Sequence, residues 1–262
     1  MSHLGTFQTA SVWSKIQRVE EDIHELLVGS RRFDIPVEPS RDVEILRVKF
    51  HPPKPSLSGK AGQVRLLHDL ASIELQAMEL GLRTLVEFRE APMLFREQLA
   101  EITLGEARHL RLCLEAIDSL GGKWGEWPVH TALWHAVAAE DSLLDRILIV
   151  HRYLEGSGLD AVDSILKRLR NVDSQIVSGV MKTILEEEVG HVLFGSEWYR
   201  KICALECIDP ESDFSPRLTS IGVRLPRRME VVSRELRKAA GFSPHEIEVL
   251  EKLRKDRIAS RN

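Results

Sequence analysis

Two stretches of this chain carry the same stripe of residues. Leu99, Ile102, Glu106, His109, Cys113, Ala116 and Leu120 form the first, and Met181, Ile184, Glu188, His191, Gly195, Trp198 and Ile202 form the second. Both advance by alternating steps of 3 and 4, the repeat of a helix face that packs against other helices. In each, a Glu and a His three residues apart replace apolar residues at the centre of the packing face. A buried charge without a partner costs several kcal/mol, comparable with the whole net stability of a domain. Each helix must therefore bring its Glu-His pair against something that compensates it.

The stripes belong to a longer internal repeat. Glu74, on the stripe Leu67, Leu70, Glu74, Ala77, Gly81, precedes Glu106 by 32 residues, and Glu155 precedes Glu188 by 33. If a turn near Ala91 joins the first pair of helices and a turn near Val172 joins the second, each leading Glu comes level with its Glu-x-x-His at 1.5 Å of rise per residue. A third match, Glu21/His24, lacks this leading partner; about one match is expected by chance, and it is assigned to a surface helix. Four carboxylates and two imidazoles at one height are a donor set for two metal ions, with carboxylates neutralising the cations and each His giving a neutral nitrogen.

The chain here resembles the ferritin-like di-iron carboxylate superfamily. ELQAMEL at 74–80, GEARHLRL at 105–112 and EEVGHVLFG at 187–195 look like a bacterial branch of unknown function within it, over about residues 60–207. Rubrerythrins, ribonucleotide reductase small subunits and the tRNA hydroxylase acting on methylthio-isopentenyl adenosine are more distant kin. The resemblance implies the ligands Glu74, Glu106, His109, Glu155, Glu188 and His191, holding two Fe ions, with Mn or mixed Fe/Mn as variants. One departure stands out: where related sequences tend to read E-A-R-G, this chain reads Glu155-Gly156-Ser157-Gly158.

Glu140 rivals Glu155 for the third-helix position, because Leu133, Val137, Glu140, Leu144 and Ile147 also form a stripe. A crossover along the bundle weighs against it, since the ten residues GGKWGEWPVH reach only ~34 Å fully extended. Some of 131–138 must then join the crossover. His151, one turn before Glu155, is read as a core histidine with ligation as the alternative; His68 is either a donor behind the ligands or a surface residue. Trp198 and Tyr199 are read as packing before electron transfer.

The expected fold is all-α: a four-helix bundle over 61–208, an N-terminal helix (11–28) and Pro-rich arm over 1–60, and a C-terminal helical extension over 209–262. Helices are expected at 63–89, 92–120, 174–206, 227–240 and 244–255, with a kink or break at Gly156 and Gly158 and irregular chain after Pro210. At 262 residues and 43% apolar content the chain can build a packed core. Charge is uneven: net +1 over 1–60, −8 over 61–208 and +3 over 209–262. The basic tail, with Arg217, Arg224, Arg227, Arg228, Arg234, Arg237 and Lys238, has no nucleic-acid motif and is read as a solvated helix face. Cys113, Cys203 and Cys207 form no C-x-x-C pair and are read as buried thiols. No run of eighteen apolar residues and no leader-like segment occurs, so a cytoplasmic protein without membrane contact is expected.

The functional expectation is a di-iron or di-manganese oxidoreductase activating O2 or peroxide and hydroxylating an organic substrate, a small molecule or a modified nucleoside. Its expected partners are an external electron donor and a second copy in a homodimer. Ferroxidase activity with iron handling, or a non-enzymatic ferritin-like scaffold, are the alternatives.

Overall fold

A computed structural model describes residues 5–260. The fold is all-α, a helical bundle. Its helices are α1 (Val12–Leu27), α2 (Lys60–Glu87), α3 (Met93–Ser119), α4 (Leu143–Ile147), α5 (Gly156–Leu169), α6 (Gln175–Leu205), α7 (Pro210–Ile221), α8 (Arg234–Ala239) and α9 (Pro244–Ala259). A π-helical stretch, Leu148–Glu155, links α4 to α5. Among the described residues the only β pairing is one isolated bridge, Ile45 to Val129. The chain divides into two compact units, one of Met1–Trp134 with Val172–Val180, the other of His135–Asn171 with Met181–Asn262.

In the first unit α2 and α3 form the expected hairpin. Phe88 N–H closes α2 on Thr84 O at 2.9 Å, and Pro92 stands at the N-cap of α3. The stripe on α2 ends at Gly81 because α3 comes too close for a side chain: a Cβ there would sit 2.3 Å from Thr103 Oγ1. The arm before α2 is ordered. Lys15 and Arg41 both bond the buried Glu79 carboxylate, at 2.8 and 2.7 Å, and Trp134 Nε1–H donates to Val37 O at 2.9 Å.

His68 is neither a surface residue nor a donor to the candidate ligands. It is fully buried, stacked 4.6 Å from Trp124, and its Nε2 accepts the Gly125 N–H at 3.1 Å, so it fastens the Gly/Trp connector to α2. Burial lowers its pKa to about 4. The unfolded chain therefore binds a proton on this residue between about pH 6.5 and 4 that the folded chain does not, and stability falls as pH drops through that window. Urea unfolding at pH 7 and pH 4.5 should show roughly 2–3 kcal/mol more acid loss in the native chain than in His68→Gln. Equal acid loss in both would remove His68 as the cause.

In the second unit the kink or break expected at Gly156 and Gly158 is a continuous helix with a widened turn. Arg237 Nη1–H donates to Arg152 O at 2.9 Å, taking a carbonyl that an α-helical ladder would have used internally. Gly156 is needed for that approach, because a Cβ there would stand 2.0 Å from Arg237 Nη1.

Three further expectations are corrected in this unit. The chain after Pro210 is helical: Asp209 caps α7, Pro210 takes its first turn, and Phe214, Leu218 and Ile221 supply the buried stripe. Pro216 stands inside the helix, on its exposed face. The helix expected at 227–240 is only Arg234–Ala239, where Asp160 accepts the Ser233 N–H at 2.8 Å. The tail is not simply a solvated face. Arg237 is buried on Asp160 at 2.7 Å, Arg217 meets Asp145 at 2.7 Å, and Arg224 meets Asp141 at 2.7 Å, whereas Arg227, Arg228, Arg234 and Lys238 are exposed as expected. The basic tail thus answers the acidic charge of the middle of the chain. Helix α9 has the expected Ser243/Glu246 capping box.

Cys113 and Cys203 are buried, but Cys207 is exposed, with a left-handed φ of 57° just past the end of α6. Among the described residues no helix is long and apolar enough to cross a membrane.

Candidate metal centre

In the first unit, Glu74 on α2 and Glu106 and His109 on α3 are buried together, with 5, 1 and 2% of their surface exposed. His109 Nδ1 lies 3.7 Å from Glu74 Oε2 and 3.6 Å from Glu106 Oε2. The i,i+3 spacing sets Glu106 and His109 on one face of α3, and the hairpin brings Glu74 level with them. Cys113, one turn further along α3, remains a thiol, since burial and then the Glu74 carboxylate push its pKa well up.

In the second unit, α6 places Glu188 and His191 on one face with Glu188 Oε1 3.2 Å from His191 Nδ1. Both are buried, whereas their neighbours Glu186 and Glu187 are exposed. Glu155 ends the π-helical stretch and is also buried, with both carboxylate oxygens 2.9 Å from His151 Nδ1. A Cβ on Gly195 would come 2.5 Å from His151 Cβ, so α6 meets the π-helical stretch at a glycine. Glu140 is exposed and lies in the turn before α4, while Glu21 and His24 are exposed on α1.

Glu106, His109, Glu188 and His191 form one buried group. Each offers a ligand atom, and these atoms all lie within 4.8 Å of one another. Glu74 lies against His109, and Glu155 against His151. A buried set of two carboxylates and two imidazoles suits a first-row divalent cation, whose charge would offset the cost of burying the anions. The residues present therefore fit a metal site.

The two aromatic residues considered as electron carriers are built into packing. The Lys201 ammonium sits 4.6 Å from the Trp198 ring centre and the Arg152 guanidinium 4.8 Å from that of Tyr199. A cation over the ring opposes electron loss from it. Tyr199 also donates its hydroxyl to Asp213, and burial first, then this bond, push its pKa upward. A cavity of about 850 Å³ among α7 and α9, lined by Leu218, Val249, Leu253, Arg227, His245 and Lys252 among others, contains none of the candidate ligands.

Fold and site together define an all-α helical protein with a buried carboxylate–imidazole group able to hold metal ions. The chain belongs to the family described as "Protein of unknown function (DUF455)", whose model matches residues 6–248. A relative from Haemophilus influenzae, described as "Uncharacterized protein", is 29% identical over 204 residues, covering 75% of this chain and 70% of that protein. No solved structure matches the chain.

Proposed function

We propose that this chain is a ferritin-like di-metal oxidoreductase, with two iron ions as the resident pair and manganese as the substitute. The observation that carries this reading is the buried group of Glu106, His109, Glu188 and His191, drawn from two Glu-x-x-His motifs in an all-helical fold. Such motifs, each with an extra Glu on another helix, are the ligand pattern of di-iron and di-manganese bundles. Glu74 and Glu155 are the extra carboxylates here. The bound metals would supply electron transfer to O2 or peroxide, leading to oxidation of an organic substrate such as a small molecule or a modified nucleoside.

The chain's own part is to hold donors rigidly, keep water away and stay inert itself. The paired Glu and His at i,i+3 need no rearrangement to converge, because each pair is already on one helix face. Phe194 and Trp198 are buried beside the second pair on α6 and keep its surroundings apolar. An external electron donor belongs to this reading, and Trp198 and Tyr199, each held under a cation, are poorly suited to relay its electrons. The reaction class rests on the likeness of the ligand pattern, and a folded site alone does not choose the substrate.

Anaerobically purified protein should bind two Fe(II) per chain and, once aerated, consume O2 continuously only when an external reductant is present. Glu106→Ala should abolish both. One round of O2 uptake followed by growth of an iron core in a large shell would show iron storage instead. A chain that binds neither iron nor manganese would overturn the metal reading altogether.

A further inference from the structure

The π-helical stretch Leu148–Glu155 is an irregular turn in a helix that carries a candidate ligand, and such turns occur often at functional sites. It brings His151 Nδ1 to 2.9 Å from both oxygens of Glu155. A carboxylate can only accept, so the imidazole donates: Nδ1 carries the proton and Nε2 the lone pair in the neutral ring. His151 Nε2 is buried and has no hydrogen-bond partner among the described residues, so nothing on the far side of the ring competes for the opposite tautomer. The ring itself has little freedom. Its Cβ lies where Gly195 leaves no room for a side chain, and Phe194 meets it edge-on at 5.1 Å between ring centres. Gly195 follows His191 by one turn on the same stripe, so His151 is packed beside the α6 ligands.

We propose that His151 is the positioning residue of Glu155. Its single N–H, shared between the two carboxylate oxygens, holds that side chain in place while leaving both oxygens with lone pairs for a metal. The widened turn sets the two side chains face to face across four residues. The inference rests on the metal reading above and adds to it a residue whose role is to keep a carboxylate aimed, with no coordination of its own. Groups that orient metal ligands in this way typically contribute 10- to 100-fold to metal affinity.

Titration with Mn(II) under nitrogen, followed by electron paramagnetic resonance, tests this without any turnover. His151→Phe keeps the ring but loses the donor, and should weaken binding by roughly 10- to 100-fold. His151→Asn restores an N–H near the Nδ1 position and cannot replace Nε2, so it should bind within about threefold of the native chain by the same reasoning. In a Glu155→Ala background, His151→Phe should cost nothing further, because the carboxylate it aims is gone. Native-like affinity in His151→Phe, or an Asn variant as weak as the Phe variant, would overturn the assignment. So would nitrogen-15 NMR of the native chain showing the proton on Nε2, a measurement that stands even if the Phe variant fails to fold. If the native chain itself binds no Mn(II) or Fe(II), the metal reading falls, and this inference with it. Tight native binding with indifferent His151 variants sinks only this inference.

Discussion

Fe(II) or Mn(II) added under nitrogen should raise the melting temperature of the native chain by on the order of 10 °C at a thousandfold excess over the dissociation constant. A ligand that binds only the folded chain stabilises it by about 4 kcal/mol at that excess, and a chain of this size gains a few degrees per kcal/mol. Glu106→Ala and Glu188→Ala each remove one of the four grouped donors and should abolish most of the shift. Without metal the same variants should melt close to the native chain, or slightly above it. Each removes a buried carboxylate that has desolvation to offset and other acids nearby. Scanning calorimetry with and without metal separates these outcomes. A variant that melts far below the native chain without metal would mean the carboxylates are structural. A native chain with no metal-dependent shift would leave the buried group with no ligand to explain it.

The second large effect lies away from the metal centre. Asp160→Ala should destabilise the chain by about 3–5 kcal/mol, because it leaves the Arg237 guanidinium buried without its carboxylate. Arg237 also donates to Arg152 O, and Gly156 makes room for it, so the pair joins α5, α8 and the π-helical stretch. Losing Asp160 therefore loosens the turn that presents Glu155, and metal affinity should fall along with stability. The exposed pair Arg234–Glu251 provides the control: Arg234→Ala should leave the urea midpoint unchanged. A small effect of Asp160→Ala would show that water reaches Arg237 readily, and that the tail is less firmly joined to the rest of its unit than its contacts suggest.

Much of this molecule is legible in the apolar stripes of its sequence. Helix periodicity is local, so α1, α2, α3, α6 and α9 were legible within a few residues from their apolar spacing and their punctuation by Gly, Pro and capping residues. That the Glu106/His109 and Glu188/His191 pairs lie buried was legible too, because a polar pair at the centre of an apolar stripe has to meet compensation. What stayed hidden depends on distant neighbours. A proline inside α7 looks like a break until its exposed position shows that no packing is disturbed. Two glycines in the third long stretch read as a kink or a break, whereas Gly156 is the landing site of an arginine eighty-one residues later.

The distinction is clearest at the candidate ligands themselves. Local sequence determined that the chain is helical, that two faces each carry a Glu and a His, and that a leading carboxylate precedes each pair at nearly equal distance. These follow from the 3.6-residue turn alone. Only the tertiary structure decided that Glu155 points to His151, that Glu74 lies against His109, that Glu140 is exposed, and that the basic tail folds its arginines onto acidic residues of its own unit. Partners far apart in the chain, such as Arg237 on Asp160 or Glu74 beside His109, are set by packing and charge pairing in three dimensions, and no periodicity along one helix encodes them. His151 and Glu155 share a helix turn, and there the tertiary structure decided only that the two side chains meet.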